Sequence, residues 1–230
     1  MSLEAVVYRD DAVTEFDDVA AAKTARGTTW VRANRATDAE QRRVAEMFDL
    51  HALAIEDVTN GVRPKLEEFP TYTFVLVKTV ELAGGETTFA EEIQDQSIGV
   101  FIGSDWVVTL TAGDDEPVDR VWAAVARGDE RLLHRGPDFT AYRVLDVVVD
   151  EYFTLLNHVG DQIERIEEDV LVSTEIDTLE AINDVRRDLL SFRKIAWPTR
   201  EALAGMARGD PTRVQEQTEK YYRDVYDHLV

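Results

Sequence analysis

The spacing of hydrophobic and polar positions changes character near Pro137. Before it, short apolar runs alternate with turn residues. AVVY at 5–8, TTWV at 28–31, TYTFVLVKTVEL at 71–82, QSIGVFIG at 96–103 and DWVVTLT at 105–111 read as strands. Gly84-Gly85 and Gly103-Ser104-Asp105 are the hairpin turns expected between the later ones. Helical segments interrupt this series. Thr37 or Asp38 caps ATDAEQRRVAEMF, and Pro117 sits in the first turn of EPVDRVWAAVAR, where its missing N–H costs nothing. Strands and helices mixed in this order predict an α+β fold with a partly antiparallel sheet.

After Pro137 the pattern is helical only. Val144, Leu145, Val148, Val149, Tyr152, Phe153, Leu156, Val159, Ile163, Ile166 and Val170 keep a period near 3.6 for about eight turns. A second helix begins at Asp177 and Glu180 and carries Leu179, Ile182, Val185, Leu189, Phe192 and Ile195 on its stripe. Pro198 is expected to bend it, and Gly209-Asp210-Pro211 ends it. Thr212 and Gln215 then form a Thr-x-x-Gln capping box for a third helix, with Val214, Tyr221, Tyr222, Val225, Tyr226 and Leu229 on one face. No Gly, Asn or Pro closes it, so the stripe reads as a helix interrupted at Val230. The expected organisation is an α/β domain over 1–136, a long helical hairpin packed beside it over 137–211, and the start of a stalk helix over 212–230.

Composition narrows the chemistry. The 230 residues are 44% hydrophobic, enough for a substantial core. Lys and Arg number 25 against 46 Asp and Glu, a net charge of −21, which disfavours nucleic acid and anionic lipid and favours cations or basic protein surfaces. Lys occurs only at 23, 65, 78, 194 and 220, so an acidic surface adapted to a salty cytoplasm is a competing account of the charge. The absence of Cys removes disulfides and thiolate chemistry. His51, His134, His158 and His228 form no zinc-binding spacing, and no nucleophile elbow, Walker loop or dinucleotide fingerprint occurs, which argues against an enzyme. No run of about 18 apolar residues is present to span a membrane.

Five segments, in order, carry a resemblance. They are His51-Ala52-Leu53-Ala54-Ile55-Glu56-Asp57, Arg63-Pro64-Lys65, Asp146-Val147-Val148-Val149-Asp150-Glu151-Tyr152-Phe153, Trp197-Pro198-Thr199-Arg200-Glu201, and Tyr222-Arg223-Asp224-Val225-Tyr226-Asp227-His228. Together they resemble the cytoplasmic part of the CorA family of divalent-cation transport proteins. Ala52 stands where that family usually has Pro, and Thr199 where it usually has Leu. The gap from Asp57 to Arg63 is a residue shorter than the family pattern. The resemblance implies a pentameric funnel at the cytoplasmic face of a membrane. The third helix would lead into two membrane helices joined by a Gly-Met-Asn signature, both beyond this chain.

It also implies a regulatory Mg²⁺ site, open to Co²⁺ or other divalent cations, between neighbouring subunits. Asp57 would face Asp224 of the next subunit, with Glu56 and Asp146 near a second ion. The residue types suit a small, hard ion that takes oxygen ligands and keeps much of its water. A zinc transporter of the same fold and a free-standing acidic scaffold are the alternatives. Each residue also has a plainer reading. Glu56 and Asp57 can end a short helix on a solvated face, and Asp224 and Asp227 have possible i, i+4 partners in Lys220 and Arg223. Asp146 can be a buried acid satisfied by Arg143 or a backbone group, Trp197 a core residue, and His51 and His228 capping or surface residues.

Overall fold

The computed structural model describes residues 2–10, 12–83, 92–113, 115–172 and 176–230. A seven-stranded sheet lies between two layers of helices. Its strands are β1 (Leu3–Arg9), β2 (Ala12–Phe16), β3 (Thr28–Asn34), β4 (Lys65–Glu68), β5 (Thr73–Ala83), β6 (Glu92–Ile102) and β7 (Trp106–Thr111). Spatial order is β2-β1-β3-β7-β6-β5-β4, and every neighbouring pair is antiparallel except β3 with β7. The β6–β7 turn falls at Gly103-Ser104-Asp105 as expected, closed by the Gly103 N–H donating to the Trp106 carbonyl at 2.8 Å. Gly84-Gly85 lies outside the described residues.

Period-2 alternation divides the strands between two cores. Ala5, Val7, Val31, Phe74, Leu76, Phe101 and Val108 face α1 (Val19–Thr24), α2 (Asp38–Phe48) and α3 (Ala52–Thr59). The alternate positions, among them Val6, Tyr8, Trp30, Val75, Val77, Ile98 and Val107, face the later helices. Those are α4 (Glu116–Ala126), α5 (Glu130–Leu133), α6 (Pro137–Val172), α7 (Ile176–Ala207) and α8 (Glu216–His228). Burial on both faces explains the unbroken stretches FVLV at 74–77 and IGVFI at 98–102 within these strands.

The caps show where local signals decide. Thr37, not Asp38, caps α2 in a complete capping box with Glu40. Pro117 occupies the first turn of α4, and α7 runs on through Pro198. Gly209 takes a left-handed φ of 70° just after α7, which only Gly adopts freely.

The Thr212/Gln215 box does not form. Gln215 itself is the residue before α8, without a side-chain cap. Thr212 gives its N–H, at 3.1 Å, and its hydroxyl to the Glu68 carboxylate on β4, while Asp138 in the first turn of α6 accepts the Gln215 N–H at 3.0 Å. Tertiary carboxylates have replaced the local partners. The Tyr222 hydroxyl also donates to the Asp138 carbonyl at 2.8 Å, so one buried turn of α6 holds α8 twice. Asp138→Ala is expected to cost about 1–2 kcal/mol and to speed amide exchange over Gln215–Thr218.

From that anchor α8 runs parallel to α6. Tyr221 packs on Phe139 and Tyr142, with ring centroids 5.1 and 5.2 Å apart, and His228 lies 6.2 Å from Phe153. Farther along, the α6/α7 hairpin leaves the sheet and its stripe is poorly covered. Ile163, Val170, Ile182 and Leu189 line a groove of about 860 Å³ and are well exposed. Among the described residues, no helix is long and apolar enough to cross a membrane.

Candidate metal site

The four carboxylates expected at the site fall into two neighbourhoods within one copy of the chain. Glu56 and Asp57 sit in the last turns of α3, whose first turn is capped by the His51 ring accepting the Leu53 N–H at 3.2 Å. His51 is therefore a capping residue. Glu56 is exposed and borders a cleft between α2 and α3 with Asp38, Gln41 and Arg42. One residue on, Asp57 turns toward β4 and α7. Its Oδ2 lies 2.6 Å from the Lys65 ammonium, which also donates to Glu67 Oε1 at 2.8 Å. Burial lowers the pKa of Lys65, and the bonds to Asp57 and Glu67 more than reverse this, leaving it raised.

Asp146 and Asp224 form the second neighbourhood, on α6 and α8. Asp146 is partly buried and accepts hydrogen bonds from Arg143 Nη1 at 2.5 Å and, more weakly, from the Tyr142 hydroxyl at 3.4 Å. The Arg143 pairing matches its plainer reading. Burial pushes the Asp146 carboxyl up; Arg143 opposes the shift, while Asp150 and Asp224 add to it by repulsion. Asp224 is exposed. Among the described residues the i, i+4 ion pairs expected for Asp224 and Asp227 do not form, and Lys220 lies over the Tyr221 ring at 4.9 Å instead.

Trp197 is another correction: it is 54% exposed with the Arg200 guanidinium over its ring at 5.3 Å. The next two positions, Pro198 and Thr199, are the ones that face inward, and a step of about 100° carries Trp197 outward. Thr199 fills its buried place by hydrogen bonding to the Tyr152 hydroxyl at 3.2 Å.

The donor set fits a hard divalent cation, since all four positions offer carboxylate oxygen and none offers imidazole or thiolate. Among the described residues no group of three or more His, Asp or Glu converges on one point. The carboxylates come singly or in pairs, an arrangement suited to an ion that keeps most of its water.

A second acidic cluster escaped the sequence reading. Asp115 caps α4 by accepting the Val118 N–H with Oδ1 at 3.2 Å, while its Oδ2 is buried with no hydrogen-bond partner. Burial pushes this carboxyl to about 7, helped by Asp119 and Glu81 and opposed by the Val118 N–H and Arg32. Glu151 on α6 is also raised to about 7, by burial first and then by Glu116, Asp115 and Glu81, against Arg120. The Asp-Glu-Pro signature at 115–117 marks a helix start; only the packing of α4 on α6 sets Glu151 near it.

Comparison with known proteins identifies the family and the fold. The profile of the family described as CorA-like Mg2+ transporter protein matches residues 25–230. The chain is 29% identical over 226 residues to the cobalt/magnesium transport protein CorA of Thermotoga maritima, covering 97% of this chain and 63% of that protein. It is likewise 29% identical over 202 residues to the putative metal ion transporter YfjQ of Bacillus subtilis, covering 87% and 60%. It thus spans about three fifths of the length of these curated relatives. The fold is that of the soluble domain of CorA from Methanocaldococcus jannaschii, at a TM-score of 0.80 and 18% identity, covering 99% of this chain and 87% of that one. The cytoplasmic domain of ZntB from Vibrio parahaemolyticus is similar at a TM-score of 0.73 and 11% identity, covering 98% and 86%. With nearly its whole length matched by one family profile, this chain belongs to the CorA-like Mg²⁺ transporter family.

Proposed function

We propose that this chain is the cytoplasmic regulatory part of a CorA-type magnesium transporter, also open to cobalt. In this reading it binds Mg²⁺ at carboxylates shared between subunits of a pentamer and thereby holds a pore shut. The observation that carries the proposal is the parallel course of α6 and α8 from one anchor, which sets Asp224 near enough to add to the rise of the Asp146 carboxyl by repulsion and leaves Asp224 exposed. Asp57 of one subunit would face Asp224 of the next, with Glu56 and Asp146 close by.

Carboxylates from two subunits repel across such an interface and disfavour close packing. Mg²⁺ supplies the positive charge that offsets this repulsion when bound. A site split between subunits is complete only in the packed state, so binding there shifts the equilibrium toward that state. The oxygen-only donors favour magnesium over a zinc transporter of the same fold.

The test is thermal unfolding with and without Mg²⁺ at constant ionic strength. At about ten times the dissociation constant, the midpoint should rise by about 3–5 °C. Asp57→Ala or Asp224→Ala should each remove most of that rise. An equal response to Na⁺ and Mg²⁺ would leave only general screening and sink the specific site.

A further inference from the structure

We propose that Lys65 sets the affinity of the Asp57 site by acting as an internal counter-ion: its ammonium occupies Asp57 until a divalent cation displaces it, and Glu67 then retains it. The inference rests on the functional reading above and adds a regulator to that site. The ammonium lies between two carboxylates, 2.6 Å from Asp57 and 2.8 Å from Glu67. Three donors on a flexible stem allow it to give up one acceptor while keeping the other. Both members of the Asp57 pair are largely withdrawn from solvent, with side-chain exposures of 24% for Asp57 and 29% for Lys65, so their attraction is less screened than at an open surface.

Room for the exchange exists beside the pair. Asp57 and Lys65 border a groove of about 760 Å³ that also takes in Arg63, Glu201, Arg208 and Asp210. A water occupies about 30 Å³ in the liquid, so a cation with its first shell of water fits. Arg208 is held by Asp210 at 2.7 and 3.1 Å and does not reach for Asp57. Arg63 is exposed on the same groove. Lys65 is therefore the basic group that a metal ion meets on Asp57 itself. Displacing it weakens binding, which keeps the site tuned to abundant cation rather than saturated by traces.

Calorimetric titration of the chain with Mg²⁺ at constant ionic strength tests this. Lys65→Met should bind about tenfold more tightly than wild type. Glu67→Gln should bind more weakly, because the ammonium then has only Asp57 to hold. Arg63→Gln controls for charge alone and should change affinity by less than about twofold. Adding Asp57→Ala to Lys65→Met should abolish the gained binding. Lys65→Gln serves if the Met variant misfolds.

Equal gains from Lys65→Met and Arg63→Gln would reduce the effect to general charge and overturn the displacement. So would unchanged affinity in Lys65→Met while binding still depends on Asp57, although the metal site itself would stand. If neither wild type nor Lys65→Met shows saturable, Asp57-dependent binding, the site reading falls and this inference with it.

Discussion

At pH 8, Asp115→Asn unfolds at higher temperature than wild type, its stability raised by about 2–4 kcal/mol, and the advantage shrinks to less than half by pH 5. Asp115 is 2% exposed, its Oδ2 has no partner, and its carboxyl is raised from 3.8 to about 7. Because the folded value exceeds the unfolded one, the folded chain holds the proton more tightly. The stability from that proton is fully present below the unfolded value near 4 and is lost as pH rises through 7. Asn keeps an oxygen for the Val118 N–H, so the cap survives while the buried charge is removed. Glu151→Gln should act in the same direction. The double variant should gain less than the sum, since the Asp115 charge is one of those that raise Glu151. Thermal midpoints for the four proteins between pH 5 and pH 8 decide this; a wild type and Asp115→Asn that stay parallel throughout would show that no buried charge is relieved.

Gly99→Ala should destabilise the chain by about 2–3 kcal/mol, and the damage should spread to the proposed metal site at Asp57. Gly99 lies on β6, where an added Cβ would collide with Val58 Cγ2 of α3 and sit 3.2 Å from Phe101 Cε2. Val58 is buried and directly follows Asp57, so relief by moving α3 displaces Asp57 from Lys65. Val58→Ala removes the colliding methyl at the expense of its own packing. The pair should therefore be strongly non-additive, with Gly99→Ala costing less by about 1–2 kcal/mol in the Val58→Ala background. Denaturant unfolding of the four proteins measures the coupling. Simple additivity would mean that the sheet yields instead of the helix, and the Mg²⁺ response should then survive.

The long elements were legible because burial repeats along them. Both faces of β5, β6 and β7 are covered, which concentrates apolar residues, and α6 keeps its 3.6 period for dozens of residues. Two edge strands were missed. AVTEF and KLEE are short, hold no fully buried residue, and each pairs on one side only, so neither a long apolar run nor a clear alternation marks them. The false Thr212/Gln215 cap has a related origin: the motif was present, and Glu68 and Asp138, remote in sequence, claimed its groups.

The candidate metal site was suggested only by family resemblance. No period relates Asp57 to Lys65 on a separate strand, or Asp115 to Glu151 on another helix; packing alone brings them near. Trp197 shows the reverse case, where a large aromatic suggested burial and helix phase pointed it outward.

The single parallel seam between β3 and β7 bears on how the chain comes to fold. Each side of the seam is a set of antiparallel pairs between strands near in sequence, β2-β1-β3 on one side and β7-β6-β5-β4 on the other. Hairpins such as these close quickly, whereas Thr29 must find Trp106 across everything between them. The natural order is two separate nuclei followed by a slow joining step at the centre of the sheet. Until that step is complete, both β3 and β7 are open edges, and crowding at that stage would favour exchange of the amino-terminal strands between chains.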